Sequence, residues 1–360
     1  MSVKVFRTLF FVVTLSLSYP SPSTCAEDIS AKGVVPPEAP PPDASFVPVN
    51  RRLFEAQAKF ETAKRMFNPY YAGPLLAPSA HNIPPGHFNV QPYLFLTDTY
   101  GRFDSKGKRR SLPHNVFSVQ GLVALQLGLT DWLDFTAVVN ATENLRNKQS
   151  AGNIADTQVE CGLQIAREEP YRPAVRVTVS ELLPTGKYEK LNPSKADLQS
   201  SGSGAYTTVL SFNLTKAVWW LSTHPFSLRG IFSYAIPSHP HVEGFNTYGG
   251  GFGTEGKVRP GKAISADTSI EFSFAQKWVF ALDLVYTYRN RSSFRGRRGV
   301  TAEGDPASTG GPSSGLFSIA PALEYNPTPA LGFVAGGWFG LAGRNSATFA
   351  SALFTFTYFW

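Results

Sequence analysis

The first question is whether any side chain is placed to act as a general base, because that decides between an enzyme and a passive protein. Histidine is the usual base, and the 360-residue chain holds six. The alternating pattern set out below puts His81 and His87 ahead of the first strand and His114 at a rim. It puts His224 in a short turn, and His239 and His241 in a long loop. None falls mid-strand beside a nucleophile, as a membrane-embedded lipid hydrolase requires. The reading is therefore of a protein that is not an enzyme, with no catalytic residue assigned. Ser238-His239-Pro240-His241 offers two imidazoles and no third ligand, short of a metal site, and no cofactor is expected.

The charged side chains point to other chemistry. On the period-two pattern Asp134, Glu160, Arg176, Arg229, Glu271, Asp283, Arg289 and Glu324 share the face that also carries Asn89, Gln91, Gln120, Gln126, Asn140, Asn213 and Ser233. A basic residue facing lipid at mid-depth costs about 2 to 4 kcal/mol, so this face is expected to line a lumen. Arg229 and Glu271 fall on neighbouring strands and are expected to pair. Glu271 and Asp283 flank Gln276-Lys277 at nearly equal distance, so two like charges are expected to meet and to need a nearby Arg or a shared proton. Two roles fit such a set: an ion-pair network that fills and stiffens the barrel, or charges that sort solutes along a path.

Two basic clusters lie in loops on the opposite side from the short turns. One holds Lys106, Lys108, Arg109 and Arg110, the other Arg291, Arg295, Arg297 and Arg298. The guanidinium fork suits phosphate, which makes outer-membrane lipids and lipopolysaccharide the expected partners; a solvated loop is the plainer reading. No nucleic-acid partner is expected, since no binding fold or aromatic platform accompanies the charge.

The elements that must position these residues are strands. Twelve segments alternate apolar and polar residues, at about 87 to 100, 114 to 128, 132 to 143, 155 to 166, 173 to 184, 204 to 216, 225 to 237, 262 to 275, 278 to 290, 314 to 325, 330 to 341 and 346 to 360. The last ends on Phe354, Phe356, Tyr358 and Trp360 along one face, too long and apolar for an uncovered sheet edge and suited to a tilted membrane strand. An even count with short turns at one end and longer loops at the other is the pattern of bacterial barrels. Trp132, Trp219, Trp220, Trp278, Tyr325 and Trp360 all fall at the short-turn end, as an inner aromatic girdle at the membrane interface should. The fold class is all-β: a transmembrane up-and-down antiparallel barrel of about 12 strands with a short N-terminal amphipathic helix. Cys161 should face lipid as an apolar filler. Glycines 332, 336, 337, 340 and 343 crowd one strand, for a packing bend or for close contact with an N-terminal plug.

Ahead of the barrel (residues 86–360) the chain divides into three. Residues 1–26 carry a basic start, an apolar stretch and a small-residue exit, the pattern of a cleaved signal peptide; a lipoprotein cysteine at Cys25 is the alternative. Cleavage after Ala26 lowers the net charge from +7 to +5 and leaves Cys161 without a disulfide partner. Residues 27–49 form a Pro/Ala-rich linker. Residues 50–85 hold an amphipathic helix, with Leu53, Ala56, Phe60, Ala63 and Phe67 on one face, and an entry segment. Such a helix could plug the lumen, lie on the inner rim or hang in the periplasm.

The entry segment G-P-L-L-A-P-S-A-H-N-I-P-P-G-H-F-N-V-Q-P-Y-L-F from Gly73, with G-L-T-D-W-L-D-F from Gly128, L-P-T-G-K-Y from Leu183 and K-W-V-F-A-L-D-L-V-Y from Lys277, resembles the outer-membrane family labelled MetA-pathway of phenol degradation. The resemblance spans most of residues 73–360. It implies a transporter-like barrel near genes for aromatic-compound breakdown, with a role in moving apolar molecules, and it carries no catalytic motif. The expected function is passive diffusion of small, apolar or aromatic solutes through a charged-polar lumen in the bacterial outer membrane. The alternatives are a surface adhesin or structural barrel and, less favoured, a lipid hydrolase.

Overall fold

The computed structural model describes residues 47–66, 73–221 and 224–360. The expected signal peptide, and all of the expected linker before Val47, lie outside them. Helix α1, Val47–Met66, opens the described chain, beginning three residues inside the stretch expected to be linker. The wall then starts with β1 (Phe88–Phe103), β2 (Arg109–Thr130), β3 (Leu133–Arg146), β4 (Gln149–Ile154), β5 (Thr157–Ala166) and β6 (Ala174–Leu183). After a short helix α2 (Ala196–Gln199) come β7 (Thr207–Val218) and β8 (Phe226–Pro237), then β9 (His241–Glu243) and β10 (Glu255–Arg259). The rest are β11 (Ala263–Ala275), β12 (Trp278–Arg289), β13 (Ser293–Arg297), β14 (Ser314–Thr328), β15 (Leu331–Arg344) and β16 (Ser346–Phe359).

Twelve of these positions form a closed antiparallel ring. Each wall strand pairs with its neighbour, and β1 closes the ring by pairing with both β2 and β16. β4 and β5 share one position, since both pair with β3, β4 along its outer half and β5 along its inner half. All twelve strands expected from alternation are present. The physical reason is legible in β12: Ala281, Asp283 and Val285 are fully buried while Phe280, Leu284 and Tyr286 are exposed, because the pleat sends alternate side chains to opposite faces. The exposed set, repeated around the ring in Leu125, Val139, Phe212, Phe232, Leu323 and Phe354, is an apolar belt that only hydrocarbon satisfies.

The short turns, among them Asp131-Trp132, Gln276-Lys277 and Pro329-Ala330, sit at one end, which marks it as periplasmic. Trp132, Trp220, Trp278, Tyr325 and Trp360 are exposed there and Trp219 is half-buried. Trp278 and Tyr325 lie 4.6 Å apart by ring centroid, and Trp219 and Trp220 meet edge to face at 5.8 Å. At the other end β9, β10 and β13 make a separate three-stranded sheet.

Two connections differ from expectation. The stretch after β3 is a tight hairpin into β4 rather than a loop, turned at Asn147, whose φ is 54°; asparagine tolerates that left-handed conformation. The stretch around Lys106 is mostly strand, with a turn in which the Asp104 carboxylate accepts the N–H groups of Lys106 and Lys108, each at 2.9 Å. Those two bonds, with Arg110, hold the Asp104 carboxyl below the usual carboxylate range.

Candidate functional site in the barrel lumen

The lumen is crossed by the chain's own entry segment. Residues 73–80 are all buried, and Asn82 and Ile83 with them, although the segment has neither helix nor strand. An extended strap inside a barrel must find partners for its backbone polar groups, and the wall supplies them. Asp283 accepts the N–H groups of Leu76 and Ala77, each at 3.2 Å. Thr215 takes that of Ala80 at 2.9 Å, Gln164 that of Asn82 at 2.8 Å, and Asp134 that of Ile83 at 3.3 Å. In return Arg229 donates to the Ala77 carbonyl at 3.1 Å and Gln164 to the Ala80 carbonyl at 2.7 Å. The strap thus runs from the β8–β12 side of the wall to β3.

Two glycines make room for it. A Cβ on Gly128 would stand 2.0 Å from the Pro84 carbonyl oxygen, and one on Gly336 2.6 Å from Leu75 Cδ1 and 2.4 Å from the Pro321 carbonyl oxygen. Of the two roles open for the glycines of β15, Gly336 fills the second, close contact with the N-terminal segment, and it also lies close to the backbone of β14. Leu75 and Leu76 pack with Tyr93, Phe95, Leu122, Val138 and Leu353 into an apolar layer across the barrel.

Two guanidinium groups organise the polar layer. Arg176 is fully buried, 2.6 Å from Asp134 and 3.3 Å from Glu160, and donates to the Asn82 side chain at 2.9 Å. Arg229 holds Glu271 through two bonds, 2.9 and 3.1 Å. A buried pair of this kind is costly to break, since the surviving partner is left uncompensated. Glu271 and Asp283 do not face each other as expected. The turn already leaves the two acids one position out of register, and a bulge between Ser273 and Ala275 adds another, so Glu271 stands opposite Ala281 and Asp283 opposite Ser269. Glu324 is buried on β14 opposite Val279. Arg289 is apart from this layer and half-buried on the wall of an outer chamber.

Sequence reasoning missed a third cluster, at the periplasmic turn after β5. Glu168 accepts from Lys216 at 2.9 Å and from the Ala217 N–H at 2.5 Å, and lies 3.2 Å from Nε2 of His81 on the strap. Burial pushes the Glu168 carboxyl up, but His81, Lys216 and the Ala217 N–H outweigh it and bring the value down to about 2. Lys216 also sits 4.5 Å from the ring of Phe60, which ties α1 to the same latch. On α1, Ala56, Phe60 and Ala63 are buried while the described residues around them are exposed. The helix therefore lies at the rim, and the strap, not the helix, fills the lumen.

His81 also places Nδ1 2.9 Å from Ser79 Oγ, a serine–histidine–glutamate chain that sequence position alone did not suggest. Ser79 is buried and its oxygen also accepts the His81 N–H at 3.2 Å. That is a local turn of the strap, with Glu168 already shared with a lysine.

Above the strap, the outer half of the barrel encloses a chamber of about 1390 Å³. Its wall carries an apolar patch of Phe103, Leu316, Phe349 and Trp338, the last donating to Ser318 at 2.9 Å. The basic residues of the two clusters lie outside it, around the β1–β2 turn and around β13. Arg109 lies 4.5 Å over the Tyr100 ring and Arg110 pairs with Asp104. Arg297 pairs with Glu255; Lys106, Lys108, Arg291, Arg295 and Arg298 are exposed.

A closed twelve-stranded ring with an apolar belt, an aromatic rim and a polar lumen is a transmembrane barrel of the bacterial outer membrane. Within that class the chain belongs to the family described as "Putative MetA-pathway of phenol degradation", whose model matches residues 105–358. Among solved structures it is similar to an outer membrane channel from Pseudomonas putida F1, at 13% identity over 78% of this chain and 98% of that one, with a TM-score of 0.60. It has weaker likeness to the translocator domain of the autotransporter NalP from Neisseria meningitidis (10% identity, 87% and 95% covered, TM-score 0.43). The same holds for the Pseudomonas putida toluene transporter TodX (12% identity, 76% and 89% covered, TM-score 0.37). The first establishes a shared fold. No curated protein sequence matches the chain.

Proposed function

We propose that the protein is an outer-membrane channel through which small apolar or aromatic solutes diffuse passively, and that the strap of residues 73–85 is its closed gate. One observation carries the reading: the outer chamber of about 1390 Å³ is separated from the periplasmic mouth by a strap and its side-chain partners rather than by a folded domain. A barrel of 12 strands is wider than the eight that side chains can fill alone, so removing the strap leaves a through path. The apolar layer at Leu75 and Leu76 and the aromatic patch at Trp338 and Phe349 favour solutes with apolar surface. The name of the family agrees with that class.

The test is single-channel conductance of the refolded mature protein in a planar bilayer, with and without residues 27–85. Silence of the intact chain and steady conductance of the shortened one is the expected result. Silence in both would remove the channel reading and leave a structural or adhesive barrel. That second reading rests on the exposed Arg291, Arg295 and Arg298 together with Lys106 and Lys108, which would meet lipopolysaccharide phosphates at the cell surface. A mature chain starting after Ala26, with residues 27–46 as a periplasmic linker, completes the proposal.

A further inference from the structure

The charge along the path is opposite in sign to the charge of the chain. The protein is basic, with a net charge of +7. Yet among the described residues buried in the wall of β3 to β14 the acids are Asp134, Glu160, Asp267, Glu271, Asp283 and Glu324, against two bases, Arg176 and Arg229. The outer chamber repeats the imbalance, with Asp104, Asp156, Glu303 and Asp305 on its lining against Arg102 and Arg289. The positive charge that makes the chain basic lies elsewhere, much of it on the outer loops.

The closed state shows how part of this acid is balanced. Arg176 serves Asp134 and Glu160, and Arg229 serves Glu271. Asp283 is satisfied by two N–H groups of the strap, and Asp134 takes a third. Asp267, buried on the inward face of β11 opposite Val285, has no hydrogen-bond partner on either carboxylate oxygen among the described residues. When the strap leaves, the N–H donors leave with it and water enters. The carboxyl groups then face a water-filled path between low-dielectric walls, where an excess of one sign of charge sorts ions.

We infer that the opened lumen excludes anions and passes uncharged or cationic solutes, with Asp267 and Asp283 as the specificity-determining side chains. This rests on the channel reading above and narrows its solute class: an aromatic alcohol or ammonium passes, and an aromatic carboxylate of the same size does not.

The experiment uses the full chain with the strap loosened by Leu76→Pro, Ala77→Pro and Ile83→Pro, which remove the N–H groups that Asp283 and Asp134 accept. Reversal potentials are measured in a potassium chloride gradient, and vesicle swelling is compared for benzyl alcohol, benzylammonium and benzoate. The expected result is a potassium-to-chloride permeability ratio above about 5, with benzoate slowest. Asp267→Asn and Asp283→Asn, added together, should lower that ratio at least about twofold while conductance persists. If the triple-proline chain does not refold, Gly128→Ala loosens the same strap by steric contact. Conductance with a ratio near one or below overturns the charge inference and leaves the channel. Silence in both loosened chains overturns the channel and the inference with it.

Discussion

Gly128→Ala is the sharpest probe of the strap. The added methyl would stand 2.0 Å from the Pro84 carbonyl oxygen and 2.5 Å from that of Ile83. Carbon and carbonyl oxygen approach no closer than about 3.3 Å, so the strap must shift by roughly 1.3 Å here. Both clashing atoms are backbone, and Gly128 is itself bonded to the strap's end, accepting from Gly86 at 3.0 Å and donating to His87 at 3.1 Å, so neither side yields easily. A shift of that size takes the Ile83–Asp134 bond, now 3.3 Å, and the Arg176–Asn82 bond, now 2.9 Å, beyond hydrogen-bond range. Each involves a charged group and is worth about 1.5 to 3 kcal/mol. Loss of both weakens docking by about 3 kcal/mol or more, a hundredfold or larger rise in the undocked fraction. Gly121→Ala is the control, on the same strand with nothing within 4 Å of its Cβ position. In planar bilayers Gly128→Ala should show frequent openings and Gly121→Ala should stay silent. Equal silence in both, with equal thermal stability, would refute the strap as the closing element.

The Glu168 latch predicts a pH dependence. Its carboxyl titrates near 2 instead of the ordinary 4.5, so its contribution is complete above about pH 4.5 and is lost as the pH falls toward 2. At about 1.4 kcal/mol per unit this amounts to roughly 3 kcal/mol. The emission of Trp219 and Trp220 beside the latch should change in that acid window, and Glu168→Gln should already show the acid-state spectrum at pH 7; an unchanged spectrum in the variant counts against the latch. Cys161 is exposed on the outer wall, so a lipid-tethered maleimide should label it in vesicles and a charged, water-soluble thiol reagent should not. Equal labelling by the charged reagent would mean that the residue does not face lipid.

The barrel was legible because its signal is local and repeated. In β12 and β5 a two-residue alternation sorts lipid face from lumen without any tertiary knowledge, and turn lengths orient the ring. The strap was not legible for the opposite reason. Residues 73–85 hold four prolines and no periodicity, the composition of a linker, and the segment acts mainly through backbone groups that every sequence possesses. Its counterpart was visible only as an excess: carboxylates on the inward face with too few bases, and a glycine at 128 facing the lumen. The Glu271–Asp283 expectation failed because the two acids lie unequally far from the turn, and the bulge at Ser273/Ala275 widens the offset to two positions. The two-residue turn at Asn147-Lys148 is weakly marked in the sequence, because no glycine follows the asparagine.

The strap is continuous with β1, and β1 is the strand that β16 must find to close the ring. The strap is synthesised before any of its partners, which are separated from it by 51 residues at Asp134 and by 207 at Asp283. They stand around it only when β3 through β12 are in place, so the contacts of longest loop come last. Closing the wall and seating the strap are therefore coupled through the chain's longest-range contacts: the beginning of the chain finds its full set of partners only in a completed ring.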